Sequence, residues 1–253
     1  MAHRAEYGRA VEGYEPETYG ERIAARYDDL YAELDPTDAV EAIARLAAAR
    51  GPVLELAIGT GRIALPLAER GVEVHGVDVS EAMVARLRSK AGGAEIPVTM
   101  GNFADVPVEG RYAVVFVAFN TFFGLTTQDE QVRCFENVAA HLAEEGVFAL
   151  EVFVPDVTRF DRNQRVSATT VELDEVQLEA TSYDPVAQRS TSQHVFLSSR
   201  GVELYPVVVR FAWPAELDLM ARLAGLRLRE RWGGWDGRPF TAESGHHVSI
   251  YGR

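Results

Sequence analysis

Apolar and polar positions follow two rhythms that alternate along most of the chain. Residues 21–34 place Ile23, Tyr27, Leu30, Tyr31 and Leu34 towards one side of a helix, and Pro36 stops it. Thr37 or Asp38 can cap the next helix, residues 38–50. An apolar run at 53–58 reads as a buried strand, 62–70 as a helix, and 72–78 (VEVHGVD) as a second, parallel strand. Ser80 caps a helix reaching Lys90, which Ala91-Gly92-Gly93 ends, and residues 98–101 form a short strand. Residues 112–119 (YAVVFVAF) lack alternation, as expected of a central strand covered on both faces. An amphipathic helix at 129–142, a turn at Glu145-Gly146 and a buried strand at 147–154 follow.

The rhythm then changes. Residues 167–211 alternate over three segments, 170–181, 189–197 and 202–211, separated by the turn-forming stretches YDPVA and SSRG. This pattern predicts an antiparallel meander with one polar face, too thin to fold alone and inserted after Pro155 as a pocket wall or a dimer surface. A helix at 214–224, ended by Gly225, and strands at 226–232 and 247–251 close the chain. The division expected is a helical lid (1–35), a ligand-binding α/β domain (36–155 with 213–253) and the inserted meander (160–212).

A chain of 253 residues, 47% of them hydrophobic, suffices for one large domain with a sizeable core. The net charge of −13, from 25 basic and 38 acidic residues, argues against a phosphate-backbone partner. The cluster Arg222, Arg227, Arg229 and Arg231 is read as a solvated face. Cys134 is the only cysteine; it sits in an apolar helical pattern and reads as core rather than nucleophile. The N-terminus lacks the apolar middle of a signal peptide, and no apolar run approaches membrane-spanning length. The expectation is a soluble, cytoplasmic protein, monomeric or homodimeric, without nucleic-acid or membrane partners.

Chemistry concentrates in Val53-Leu-Glu-Leu-Ala-Ile-Gly-Thr-Gly61 and in Asp78. Gly59-Thr60-Gly61 is a tight turn where missing side chains let a ligand approach the backbone. A carboxylate closing the next strand is placed to accept hydrogen bonds from a ribose diol. Two cofactors fit this pattern. Gly59-x-Gly61-x-x-Ala64 matches a dinucleotide fingerprint and points to NAD. S-adenosylmethionine is the other, and three features favour it. Glu55 is a carboxylate inside an apolar strand, costly without a buried partner. A long segment with a helical pattern precedes the first strand, and the third run ends in the amide-bearing, acidic loop GNFADVP, where an adenine can sit.

The stretches VLELAIGTGRIALPLAERGVEVHGVDVSEAMVARLR and GNFADVP resemble class I S-adenosylmethionine-dependent methyltransferases, particularly the small-molecule kind. The resemblance covers residues 27–155 and resumes weakly over 213–251; Ala57 stands where glycine is commoner. It implies a doubly wound, mainly parallel, seven-stranded Rossmann-like sheet with an antiparallel final strand. It also implies methyl transfer to oxygen or nitrogen of a small molecule. A nicotinamide-dependent oxidoreductase and a non-catalytic nucleotide-binding or regulatory module are the alternatives.

On this reading the Ala57, Gly59 and Gly61 turn admits the methionine part, whose carboxylate lies near the following helix end with Arg62 or Tyr27 assisting. Glu55 positions the turn. Asp78 holds the ribose, with Val79 beside it; Met83, Asn102 and Phe103 surround the adenine, and Ala118 and Phe119 line the cofactor. Arg62 as a solvated arginine, Tyr27 and Met83 as helix packing, and Asn102 as plain loop are the bland readings beside these. Acceptor-side candidates are Tyr14, Tyr19, Phe123, His194 and Trp235, with His246 as a catalytic base and Asn120 orienting the acceptor. Packed or exposed strand residues are the bland reading of the histidines. Glu243-x-x-His246-His247 has the wrong spacing for a zinc helix, so no metal is expected.

Overall fold

The computed structural model describes residues 11–47 and 51–253; Tyr7 and the end of the helix expected at 38–50 lie outside the described residues. Helix α1 (Thr18–Leu30) buries Ile23 and Ala24, whereas Leu34 is beyond it and exposed. Helix α2 (Thr37–Ala47) is capped by Asp35, which accepts from Thr37 N at 2.9 Å; Thr37 is already helical. Strand β1 (Val53–Leu56), helix α3 (Ala64–Glu69), strand β2 (Val74–Asp78), helix α4 (Glu81–Arg88) and strands β3 (Val98–Met100) and β4 (Tyr112–Val117) follow. As expected, Ser80 caps α4, accepting from Met83 N at 3.2 Å.

Helix α5 (Gln128–His141) starts in a capping box between Thr127 and Glu130 and leads into β5 (Leu142–Phe153). The turn expected at Glu145-Gly146 is absorbed into this strand as a bulge: Tyr112 pairs with Leu142, and Val114 with Val147. Gly146 permits the close approach, since a Cβ there would lie 2.7 Å from the Tyr112 carbonyl oxygen. Four strands come next, β6 (Gln164–Val171), β7 (Glu175–Asp184), β8 (Arg189–Ser198) and β9 (Gly201–Arg210). The meander thus has four strands where alternation suggested three. The hairpin turn Glu172-Leu173-Asp174 contains no glycine or proline, so the pattern did not break there, although Leu173 is 98% exposed. Helix α6 (Pro214–Leu223) and strands β10 (Arg227–Trp232) and β11 (His246–Gly252) complete the chain.

The main sheet has the order β10-β11-β5-β4-β1-β2-β3. β3, β2, β1, β4 and β5 are parallel to one another, and β11 is antiparallel to both β5 and β10. The chain winds outward from β1 to β3 and returns on the other side of β1 as β4. This reversal opens a crevice at the carboxyl ends of β1 and β4, the place where such sheets bind ligands. Strand alternation splits the core into two layers. Leu54, Val115 and Leu150 join Phe135 of α5 and Leu217 of α6, while Val53, Val114 and Ala149 join Ile43 of α2 and Leu67 of α3.

The four-stranded sheet shares these cores. Tyr183 and Phe211 belong to the first layer, and Phe196 and Tyr205 pack with Ile23 and Ala24 of α1 and Met83 of α4. Arg231 is also not solvated as expected. Its guanidinium donates to Asp218 Oδ1 at 2.6 Å and to Ser249 Oγ at 2.8 Å, because α6 packs against β10 and supplies the carboxylate. Among the described residues no helix is long and apolar enough to cross a membrane.

Candidate active site

A cavity of about 740 Å³ lies over the carboxyl ends of β1, β2 and β4, between α1 and one face of the four-stranded sheet. Its floor is the turn after β1. Ala57, Gly59 and Gly61 have φ of 57°, 57° and 80°, so the backbone enters the left-handed region three times in five residues. Gly61 does not line the cavity. A Cβ there would collide with Leu87 Cδ1, so α4 packs directly on its backbone. Ala57 bears a side chain in that region, at a cost of about 1–2 kcal/mol.

Asp78 accepts from Gly59 N at 2.7 Å and from Ser80 N at 2.8 Å. Burial pushes its carboxyl above the ordinary range, against the lowering effect of those N–H groups. Each oxygen retains a lone pair for a further donor. Beside it Glu55 is buried in β1, and its Oε2 has no hydrogen-bond partner among the described residues. Burial drives its carboxyl well above the usual range; Asp78 adds to this and Arg62 opposes it. A buried carboxyl with one oxygen unpaired at a cavity wall is a place for a cationic ligand group, whose charge favours the ionised form.

Arg62 stacks 4.8 Å from the Phe119 ring centroid, and Tyr31 meets the same ring edge-on at 5.1 Å. Tyr27 packs against Tyr31, its hydroxyl pushed up to about 12 chiefly by burial, and Tyr19 OH lies 3.1 Å from Tyr31 OH. Helix α1 is pinned over this cluster at both ends. Glu21 accepts from Ser80 Oγ at 2.8 Å and Ala82 N at 3.0 Å, while Asp28 accepts from Thr60 Oγ1 at 2.6 Å and Lys90 Nζ at 2.9 Å. Gly20 lets α1 sit this close, because a Cβ would lie 2.6 Å from Ser80 Cβ. Across the cavity, Asn102 Oδ1 accepts from Ala104 N at 2.9 Å, which leaves its NH₂ as a donor beside Phe103.

At the end of β4, Phe119 and Asn120 both adopt left-handed conformations, φ 58° and 65°. Glu151 of β5 holds them there: its Oε2 accepts from Phe119 N at 2.7 Å and its carbonyl from Asn120 N at 3.2 Å. Sequence reasoning passed over Glu151, although a carboxylate within the apolar run VFALEVFV carries the same signal as Glu55.

Of the residues expected in a site, the structure brings Tyr14, Tyr19, Tyr27, Glu55, Ala57, Gly59, Arg62 and Asp78 to this cavity. Val79, Met83, Asn102, Phe103, Ala118, Phe119, Asn120 and His194 line it as well. It does not bring Phe123, Trp235 or His246 there. A 3-10 turn, Thr121–Gly124, directs Phe123 into the core against Phe153, 4.9 Å between centroids. Trp235 is buried in the second core layer with Val248 and Ile250, because its loop folds back over the sheet. His246 Nε2 faces the Arg238 guanidinium at 3.1 Å. His247 is fully buried, its Nδ1 2.8 Å from Ser249 Oγ, and burial lowers its pKa to about 4, so it is neutral. Cys134 is buried too, and that burial pushes its thiol up, away from nucleophilic use. The sequence allowed for the meander as a pocket wall and for His194 on it, but gave no sign of its other lining residues: Glu179, Thr181, Ser190 and Ser192 on the sheet, with Asp156 and Arg159 at its rim.

Comparison with known proteins agrees with this geometry. Residues 53–146 match the family model described as a methyltransferase domain. The chain is similar to the CcbJ methyltransferase from Streptomyces caelestis, with 43% identity, a TM-score of 0.87, and coverage of 94% of this chain and 98% of that one. It is 27% identical to the cypemycin N-terminal methyltransferase of a Streptomyces species, over 91% of this chain and 95% of that protein. The fold is also that of CalS10, an amino pentose methyltransferase from Micromonospora echinaspora solved with S-adenosylmethionine bound. There the TM-score is 0.66, the identity 21%, and the coverage 88% of this chain and 95% of that one. The cofactor is therefore S-adenosylmethionine rather than NAD, and the protein is an enzyme. This chain belongs to the class I S-adenosylmethionine-dependent methyltransferase family.

Proposed function

We propose that this enzyme methylates an oxygen or nitrogen atom of a small-molecule acceptor seated between α1 and the four-stranded sheet. The observation that carries the reading is the cavity itself. One continuous space of about 740 Å³ runs from the glycine turn to the polar face of the sheet, within the size range of small-ligand sites. The name of CalS10, an amino pentose methyltransferase, is consistent with a small-molecule acceptor, and that of the cypemycin N-terminal methyltransferase with a nitrogen acceptor only.

In this reading unpaired Glu55 takes the ammonium of the bound methionine part, with Arg62 and Tyr27 near its carboxylate. Asp78 accepts from the ribose hydroxyls, and Met83, Phe103 and Asn102 enclose the adenine. S-adenosylmethionine, when bound, supplies a methyl group activated by its sulfonium for in-line displacement by an acceptor oxygen or nitrogen, keeping the leaving electron pair on sulfur. The chain contributes alignment and exclusion of water, and alignment of two bound reactants removes on the order of 7–11 kcal/mol from such a barrier. Asn120, fixed by Glu151, orients the acceptor. The imidazole available to take an acceptor proton is His194, which lines the cavity, not His246. Helix α1, within the 1–35 segment, acts as a lid and the inserted sheet as the acceptor wall.

The experiment is transfer of tritiated methyl from S-adenosylmethionine to a small-metabolite panel and, in parallel, to peptides. Label in the small-molecule fraction supports the reading; label confined to peptides overturns it.

A further inference from the structure

We propose that Glu179 is the specificity determinant of the acceptor half, its carboxylate taking a cationic amine carried by a hydroxylated small molecule. The inference rests on the small-molecule reading of the cavity and names the acceptor class. Strand register puts Glu179 opposite His194 and Thr181 opposite Ser192, so all four share the face turned to the cavity. Glu179 Oε1 accepts from Thr181 Oγ1 at 3.2 Å and Ser192 Oγ at 3.4 Å, and those hydroxyls are 2.8 Å apart. The carboxylate is held in place without being neutralised.

Two other carboxylates on this side each cap a local turn through one oxygen, and Asp156 is exposed at the rim. Glu130 closes the capping box of α5, and Asp156 accepts from Thr158 N at 3.0 Å and Thr158 Oγ1 at 2.6 Å. Arg159 makes a long ion pair with Glu179 Oε2, at 4.0 Å and with an arginine side chain 44% exposed, a solvent-screened contact that a bound ammonium can displace. Glu179 therefore presents an oxygen to the cavity that a bound ammonium can claim. Thr181, Ser190 and Ser192 offer both donors and acceptors, which suits neighbouring hydroxyls on the same ligand. The chain's net charge of −13 favours approach of a cation over an anion. The site binds the amine whether that nitrogen or an adjacent atom receives the methyl group.

Calorimetry on the protein saturated with S-adenosylhomocysteine tests this. The probes are a methyl 3-amino-3-deoxyhexoside and the matching methyl hexoside, at pH 7. The amine should bind at least about tenfold more tightly, as a charge-assisted hydrogen bond allows. Glu179→Gln should abolish that preference and leave S-adenosylhomocysteine affinity unchanged, and Glu179→Asp should retain part of it. Equal affinity for the two sugars, binding of neither, or an amine preference that survives in Glu179→Gln would each overturn the proposal. Tritium transferred to hydroxylated metabolites with and without amines alike would also overturn it, while sparing the small-molecule reading. Absence of label from every small molecule would overturn the reading beneath.

Discussion

Ala57 and Asp78 carry opposite kinds of stress at the same turn. Ala57 holds a side chain at φ 57°, where glycine is at ease. Ala57→Gly should relieve about 1–2 kcal/mol of strain and lose about 0.5–1 kcal/mol to the greater freedom of the unfolded chain. The expected result is a small rise in the melting temperature of the cofactor-free protein, and a fall would show that the methyl group packs productively. Asp78 is buried and raised in pKa, yet it is placed to accept from a diol. Asp78→Ala should weaken S-adenosylmethionine binding by tenfold or more, since charge-assisted hydrogen bonds contribute roughly 1.5–3 kcal/mol each. Calorimetry on the folded variant decides, and unchanged affinity removes Asp78 from the site. Both residues were legible from the glycine spacing and the strand that follows. Phe123, Trp235 and His246 were not, because side-chain direction at a loop or strand end depends on what packs behind it.

Helix α1 is the least independent element over the site. It buries Ile23 and Ala24 but is tied down by Glu21 and Asp28 at its two ends. Glu21→Ala removes bonds to Ser80 and Ala82, and the main sheet does not depend on those. Amide exchange within α1 should quicken and the dissociation constant for S-adenosylmethionine should rise several-fold. The melting temperature of the protein should change little. Exchange in α1 as slow as in the unaltered protein would show that apolar contacts alone hold the helix. The helices and parallel strands were readable because their apolar periods are long and bounded by caps, prolines and glycines. The hairpin between β6 and β7 was hidden because its turn has none of these, and the bulge in β5 because Gly146 signals a turn as readily as a close strand approach.

Across the whole molecule, burial of ionisable groups sets the response to pH. His247 has a folded pKa of about 4 against 6.5 ordinarily, so the unfolded chain binds the extra proton first. Stability therefore rises with pH between those values and is lost as pH falls through them, by about 3 kcal/mol in all. Thermal melts of His247→Gln between pH 4 and 6.5 should show a flatter slope than the unaltered protein; an identical slope would assign acid sensitivity elsewhere. Glu55 acts with the opposite sign. Its raised carboxyl favours the folded state at low pH, and that contribution is lost as pH rises through the folded value.

The sequence by itself determined the α/β class, the parallel sheet and the cofactor edge. Those follow from local periodicity, from glycines that enter a left-handed turn without strain, and from Asp78 at a strand end. Tertiary structure alone decided which polar groups meet around the cavity. Thr181 and Ser192 meet across a hairpin register, Glu151 reaches a neighbouring strand's end, and α1 lies over a turn distant in sequence. Such pairings depend on how the sheet and helices stack, and the polar residues involved look, along the chain, like any solvated strand face.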